Sequence, residues 1–237
     1  VSRPYELHLG DALAFMAELP DESVDHVITD PPYEVEAHTL QRRIENGAIA
    51  DAPLSFAPIT ERIRAAAAHE IARVTRRWAL VFCQAEAVAA WRDALTRAGM
   101  VYRRACIWIK RDGQPQLSGD RPGQGHESIV VAHAPGKSRW NGGGKLGLYD
   151  YSKGHEGGRA SLHPTEKPLR LMEALVTDFT DPGDLVLDPF AGSGTTGVAA
   201  LKNGRRFMGS ELSPEYHAVA LKRLQAAHAQ PRLLEAL

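Results

Sequence analysis

The sequence predicts an α/β fold: one domain built on a mostly parallel sheet with helices on both faces. Two observations predict it. Short apolar runs alternate with amphipathic stretches of helical length, the pattern of a parallel sheet covered on both sides. The 237 residues suit one domain with a full core, and no internal repeat or clean compositional boundary divides them.

The elements follow in order. "YELHL" (5–9) reads as a short strand. Asp11 caps a helix that carries Leu13, Met16 and Leu19 on one face. Residues 24–29 form a buried strand that stops at Asp30-Pro31-Pro32-Tyr33, and 34–57, with Gly47 and Pro53, read as a loop. A helix spans Ile59 to Val74. "WALVFC" (78–83) is a strand, 85–98 is a helix ended by Gly99, and 101–110 and 127–133 are strands. The chain then turns Gly-rich and irregular. Order resumes at Glu166, where Leu171, Met172, Leu175, Val176 and Phe179 form a helical stripe. A strand at 184–188, a helix from Thr195, a strand at 206–210 and a last helix capped by Ser213, with Pro214 at its first position, complete seven strands. The long loops, about 34–57 and 111–162, have the length of functional loops.

Composition excludes some classes. The 28 basic and 29 acidic residues nearly cancel, so bulk charge does not announce nucleic acid. Ten basic residues against five acidic ones fall between 101 and 162, a local bias that suits an anion-facing surface and equally a solvated one. Cys83 and Cys106 lie in strands, and neither they nor the histidines show metal-ligand spacing; both read as packing residues of a reducing compartment, and no metal is expected. No apolar run is long enough for a bilayer and no signal peptide opens the chain, so a cytoplasmic location without a membrane partner is expected.

Two motifs carry chemistry. "LVLDPFAGSGTTGVAAL" places Gly192, Gly194 and Gly197 as GxGxxG between a strand and a helix, with Glu211 at the end of the next strand. Glycines admit a ligand close to the backbone, the helix start offers free N–H groups, and a carboxylate can hold two ribose hydroxyls. This points to a nucleoside-containing cofactor. A dinucleotide is the default, but here Asp188-Pro189-Phe190 stand where its first glycine would follow the strand. The second motif is the rigid Asp30-Pro31-Pro32-Tyr33 turn, whose prolines end the ladder and fix where Asp and Tyr point.

"DPPY" (30–33), "HPTEKP" (163–168) and "DPFAGSGTT" (188–196) together resemble the S-adenosylmethionine-dependent amino-methyltransferases of DNA, in the motif order of their permuted beta group. The resemblance covers nearly the whole chain and implies a Rossmann-like methyltransferase domain over 1–237: a catalytic half over about 1–135, a mobile DNA-contacting loop over about 136–162 and a cofactor half over about 163–230. It implies that Asp188, Pro189, Phe190, Ala191, Gly192, Ser193, Gly194, Thr195 and Thr196 cradle the cofactor, with Glu211 and Leu212 at the ribose, Asp11 near the adenine, and Thr165 and Lys167 at the carboxylate. Asp11 equally suits a helix cap, and "HPTEKP" an ordinary helix start. The resemblance also implies that Asp30 and the Pro31 carbonyl accept hydrogen bonds from the amine of a flipped-out base while Tyr33 stacks on it, with Pro32 stiffening the turn. Two such bonds would pull the nitrogen towards tetrahedral geometry and free its lone pair for attack on the sulfonium methyl.

The expected product is N6-methyladenine, because the resemblance associates a first-position Asp mainly with adenine. N4-cytosine is the alternative, and RNA or protein-amide methylation a more distant one. A nicotinamide-dependent oxidoreductase gives DPPY no role, and a non-catalytic nucleic-acid-binding module leaves the glycine turn unexplained. Lys137, Arg139, Trp140, Lys145, Tyr149 and Tyr151 are expected to contact DNA. Little chain remains for a target-recognition domain, which points to a homodimer or a partner such as a restriction endonuclease.

Overall fold

A computed structural model of the chain describes residues 3–33, 42–45, 48–51, 59–113, 119, 122–152 and 166–229. Its centre is an eight-stranded sheet. The strands are β1 (Tyr5–Leu9), β2 (His26–Thr29), β5 (Trp78–Cys83), β6 (Val101–Ile109), β7 (His126–His133), β8 (Leu148–Asp150), β9 (Leu185–Asp188) and β10 (Arg206–Glu211), in the order β1-β10-β9-β2-β5-β7-β6-β8. All adjacent pairs are parallel except those of β7, which runs against both β5 and β6. The expected strands are all present.

Two elements were not anticipated. β8 adds an eighth strand at the edge beside β6. The stretch expected as loop contains a separate antiparallel ribbon, β3 (Arg42–Glu45) with β4 (Ala48–Asp51). Both are short, three or four residues, and too brief to show a period-2 pattern.

Strand side chains alternate between two cores, as the pleat requires. Ile28, Leu80, Phe82, Ile129 and Val186 pack under α4 (Leu169–Phe179), α5 (Thr195–Lys202) and α6 (Pro214–Ala229), through Leu171, Leu175, Val198 and Leu224. Val27, Val81, Val130 and Leu187 pack on the other face under α1 (Ala12–Glu18), α2 (Glu61–Val74) and α3 (Val88–Arg97), through Phe15, Ile71, Trp91 and Leu95. Both cysteines are buried and unbonded to each other. Asp11 caps α1 by accepting from the N–H groups of Leu13 and Ala14, and Thr60 caps α2.

The connections set the site. After β2 the chain crosses to β5 on one side, and after β9 it crosses to β10 on the other. The sheet therefore divides between β2 and β9, and the carboxyl ends of these neighbours flank a crevice, the usual ligand position of an open α/β sheet. The expected catalytic and cofactor halves are thus strands of one continuous sheet.

Candidate active site

A cavity of about 720 Å³ opens at that crevice. Its wall includes every residue expected for catalysis or cofactor binding except two. Gly194 turns behind it with φ 80°, where an added Cβ would lie 2.9 Å from that of Ala220. Thr165 lies outside the described residues.

The strand ends are tied together. Asp188, the last residue of β9, accepts from the hydroxyls of Thr29 (2.8 Å) and Thr196 (2.6 Å) and from the Phe190 N–H (3.1 Å). One buried carboxylate thus links the strand leading into Asp30 with the helix leaving the glycine turn. Burial pushes its pKa up to about 6, against the pull of those three donors. Glu211 braces the turn from β10: its two oxygens accept from the N–H of Gly192 and of Ser213, both at 2.8 Å. Gly197 lets α5 sit directly on Phe207 and Leu224, whose atoms lie 2.5–2.7 Å from where a Cβ would be. The N-terminus of α5 has no side-chain cap, so its first N–H groups face the turn unclaimed by a capping side chain.

The turn Asp30–Tyr33 carries a charge cluster. Lys167 Nζ donates to Asp30 Oδ2 (2.5 Å) and Tyr33 Oη (2.8 Å), and Glu127 Oε2 lies 3.1 Å away. Lys110 pairs with the other oxygen of Glu127. Asp30 Oδ1 is buried and accepts no hydrogen bond among the described residues. Burial raises the pKa of Asp30 and Lys167 opposes that rise, while Glu127 and Tyr33 also face it. Burial would raise Glu127 too, but the ammoniums of Lys167 and Lys110 outweigh it and hold its carboxyl low.

Lys167, expected at a cofactor carboxylate, here donates to Asp30 and Tyr33, and Glu127 Oε2 lies 3.1 Å from its ammonium. Tyr33 is buried, with its hydroxyl anchored on Lys167 and its carbonyl accepting from the Ile59 N–H. Asp11 lines the cavity and caps a helix at once.

The family model of DNA methylases of the N6/N4 type matches residues 144–222. A protein of Escherichia coli strain K12 named as a methylase, YubD, is 32% identical over 238 residues, covering 92% of this chain and 88% of its own. The chain belongs to this DNA methylase family. The DNA adenine methyltransferase YhdJ of the same bacterium is 28% identical, over 92% of this chain and 82% of its own. The M1.HpyAVI–SAM complex superposes with a TM-score of 0.69 at 28% identity, covering 93% of this chain and 98% of that one.

Of the loop expected to contact DNA, residues 136–152 are described. Residues 136–152 are held against the fold, with most of their anchors at the amino edge of the sheet. Trp78, which opens β5, donates from Nε1 to the Arg139 carbonyl (2.8 Å). Trp140 packs on Phe179 at the end of α4, Asn141 bonds Thr180 and Asp181, and Lys145 pairs with Asp178. Tyr149 is buried and donates to Asp178. Lys137, Arg139, Trp140 and Lys145 therefore sit at the opposite edge from Asp30, and Tyr149 is a packing residue. Only Tyr151, whose carbonyl accepts from Trp108 Nε1, follows β8 onto the carboxyl edge.

Sequence reasoning also missed residues that contact the expected site. Arg223, on α6, donates to the carbonyl and hydroxyl of Ser193, both at 2.7 Å, and pairs with Glu166 at 2.8 Å. Nothing in a helical repeat marks such an arginine. Glu127 and Lys110 carried a faint signal, as charges at the ends of otherwise apolar strands. Among the described residues, no group of His, Cys, Asp and Glu could hold a metal, and no helix is long and apolar enough to cross a membrane.

Proposed function

We propose that this DNA methylase transfers the methyl group of S-adenosylmethionine to the N6 amine of an adenine displaced from the helix. The observation that supports it best is a single cavity in which the braced glycine turn and Glu211 lie beside a buried, unpartnered Asp30 Oδ1. S-adenosylmethionine supplies an electrophilic methyl on a sulfonium. The residues present suit it: the glycine turn and the uncapped start of α5 offer backbone N–H groups, and Glu211 offers a carboxylate to the ribose.

On the other side, a nucleobase amine is a poor nucleophile because its lone pair is delocalised into the ring. Asp30 Oδ1 and the Pro31 carbonyl accept its two N–H bonds and localise that pair on nitrogen. The prolines fix both acceptors in advance, so little reorganisation is left for the transition state. Tyr33 walls the base pocket. Adenine is favoured over cytosine by the DPPY resemblance and by the likeness to YhdJ.

The test is to incubate purified protein with duplex DNA and methyl-labelled S-adenosylmethionine, digest to nucleosides and separate them by mass spectrometry. N6-methyladenine is expected. N4-methylcytosine in its place refutes the base assignment and retains the amine chemistry, whereas 5-methylcytosine alone removes both.

A further inference from the structure

We propose that Lys167 is a positioning residue for the transfer step, held between Asp30 and Glu127 so that it occupies Oδ2 of Asp30 and leaves Oδ1 as the acceptor for the amine. The inference rests on the reading of the site as an amine methyltransferase. It deepens that reading by assigning roles to Lys167, Glu127 and Lys110.

The geometry is that of a closed charge relay drawn from four separate elements. Asp30 follows β2, Lys167 precedes α4, Glu127 lies in β7 and Lys110 follows β6. The charges alternate in sign along the contacts and sum to zero. The ammonium of Lys167 is also enclosed by the rings of Phe82 (5.1 Å), Tyr33 (5.3 Å) and Trp108 (5.9 Å), and its side chain is 7% exposed. Aromatic faces and two carboxylates together surround the cation.

Stability does not explain such a cluster. Well-packed apolar residues of similar volume serve a core as well as or better than buried ion pairs. What the cluster does achieve is asymmetry within one carboxylate. Oδ2 is claimed by Lys167, while Oδ1 is buried and has no donor among the described residues. A lone buried carboxyl at this position would protonate and donate rather than accept. The groups that face Asp30 are Lys167, Tyr33, Glu127 and, across the strand ends, Asp188. Among them only Lys167 carries positive charge.

The same arrangement provides for the proton. When the amine nitrogen bonds to the methyl carbon, the carbon–sulfur bond breaks, its electron pair stays on the departing thioether sulfur, and the nitrogen carries a positive charge and one hydrogen too many. That N–H bond breaks, its electron pair stays on nitrogen, and the proton bonds to Oδ1 of Asp30. Glu127 then remains as the counter-charge of Lys167, so the ammonium keeps its place when Asp30 becomes neutral.

The experiment follows Asp30 directly, by carboxyl-carbon NMR titration of 13C-aspartate-labelled protein, with its signal assigned by loss in Asp30→Asn. Lys167→Gln should move the Asp30 titration up by about one pH unit or more. The double variant Lys110→Met/Glu127→Gln removes an opposite pair together, keeps the cluster neutral and should move the titration down. Single-turnover methyl transfer by Lys167→Gln should fall about tenfold or more near neutral pH and recover as pH rises, which structural damage would not produce. Identical Asp30 titrations in the parent and the folded variants would overturn the proposal, and the double variant decides it if Lys167→Gln does not fold. Shifts as expected in a parent that methylates no amine would leave the charge arrangement standing and overturn the reading of the reaction.

Discussion

Glu211 shows how one side chain serves fold and site together. Each of its oxygens already accepts a backbone N–H, from Gly192 and Ser213, which fixes the carboxylate at the cavity wall with a lone pair left on each oxygen for a ligand. Glu211→Ala should therefore weaken S-adenosylmethionine binding by about tenfold or more, through both a lost charge-assisted hydrogen bond and a loosened turn. Calorimetry giving unchanged affinity would remove the ribose role. Asp30, Tyr33 and the glycine turn were legible in the sequence because their chemistry is local: a strand end, a fixed turn and a spacing of glycines lie within a few residues of each other. Glu127, Lys110 and Arg223 were not. Their partners are tens of residues away in sequence, and only the sheet order brings Lys110 and Glu127 beside Lys167. The motif that carries Lys167 gives its membership of the site and not the direction of its side chain, which here reaches Asp30 and Tyr33.

At the scale of elements, the segment 136–152 shows what composition leaves open. Glycines, lysines and aromatic residues describe a DNA-contacting loop and a strap across a domain edge equally well. The strap contacts involve Asp178, Thr180 and Asp181, which lie more than thirty residues further on. Neutralising Lys137, Arg139 and Lys145 together should accordingly leave the slope of log DNA affinity against log salt unchanged, and a flattened slope would return these residues to the interface. Asn141→Ala should instead lower stability by about 1–3 kcal/mol, because its side-chain amide donates to the buried-edge carbonyl of Thr180 and to Asp181. Denaturant unfolding measures it. At the same edge His26 is buried against Asp184, and burial lowers its pKa. His133 is lowered as well, again chiefly by burial. A histidine with a folded pKa below 6.5 is protonated more readily in the unfolded chain, so its stabilising contribution is complete above about pH 6.5 and lost as pH falls below it. The melting temperature should fall on going from pH 7 to pH 5.5, and His26→Gln should reduce that fall. An equal fall in the variant would assign the pH dependence elsewhere.

For the whole molecule, the decisive feature is the division of the sheet between β2 and β9, which sets the strand leading into Asp30 beside the strand leading into the glycine turn although about 160 residues separate Thr29 from Asp188. The alternation of strands and helices made the sheet legible, and the motif order made its permuted arrangement legible. The edge strand β8 and the ribbon were too short to read. The measurement that bears most directly on the chemistry compares Asp30→Ala with the parent in single-turnover methyl transfer, with S-adenosylmethionine binding measured on the same two proteins. Removing the acceptor of the amine while leaving Glu211 and the glycine turn intact should abolish transfer, a loss of about a thousandfold or more, and change cofactor affinity by less than about fivefold. Transfer within a few-fold of the parent, at unchanged cofactor affinity, would contradict a mechanism in which Asp30 holds the amine.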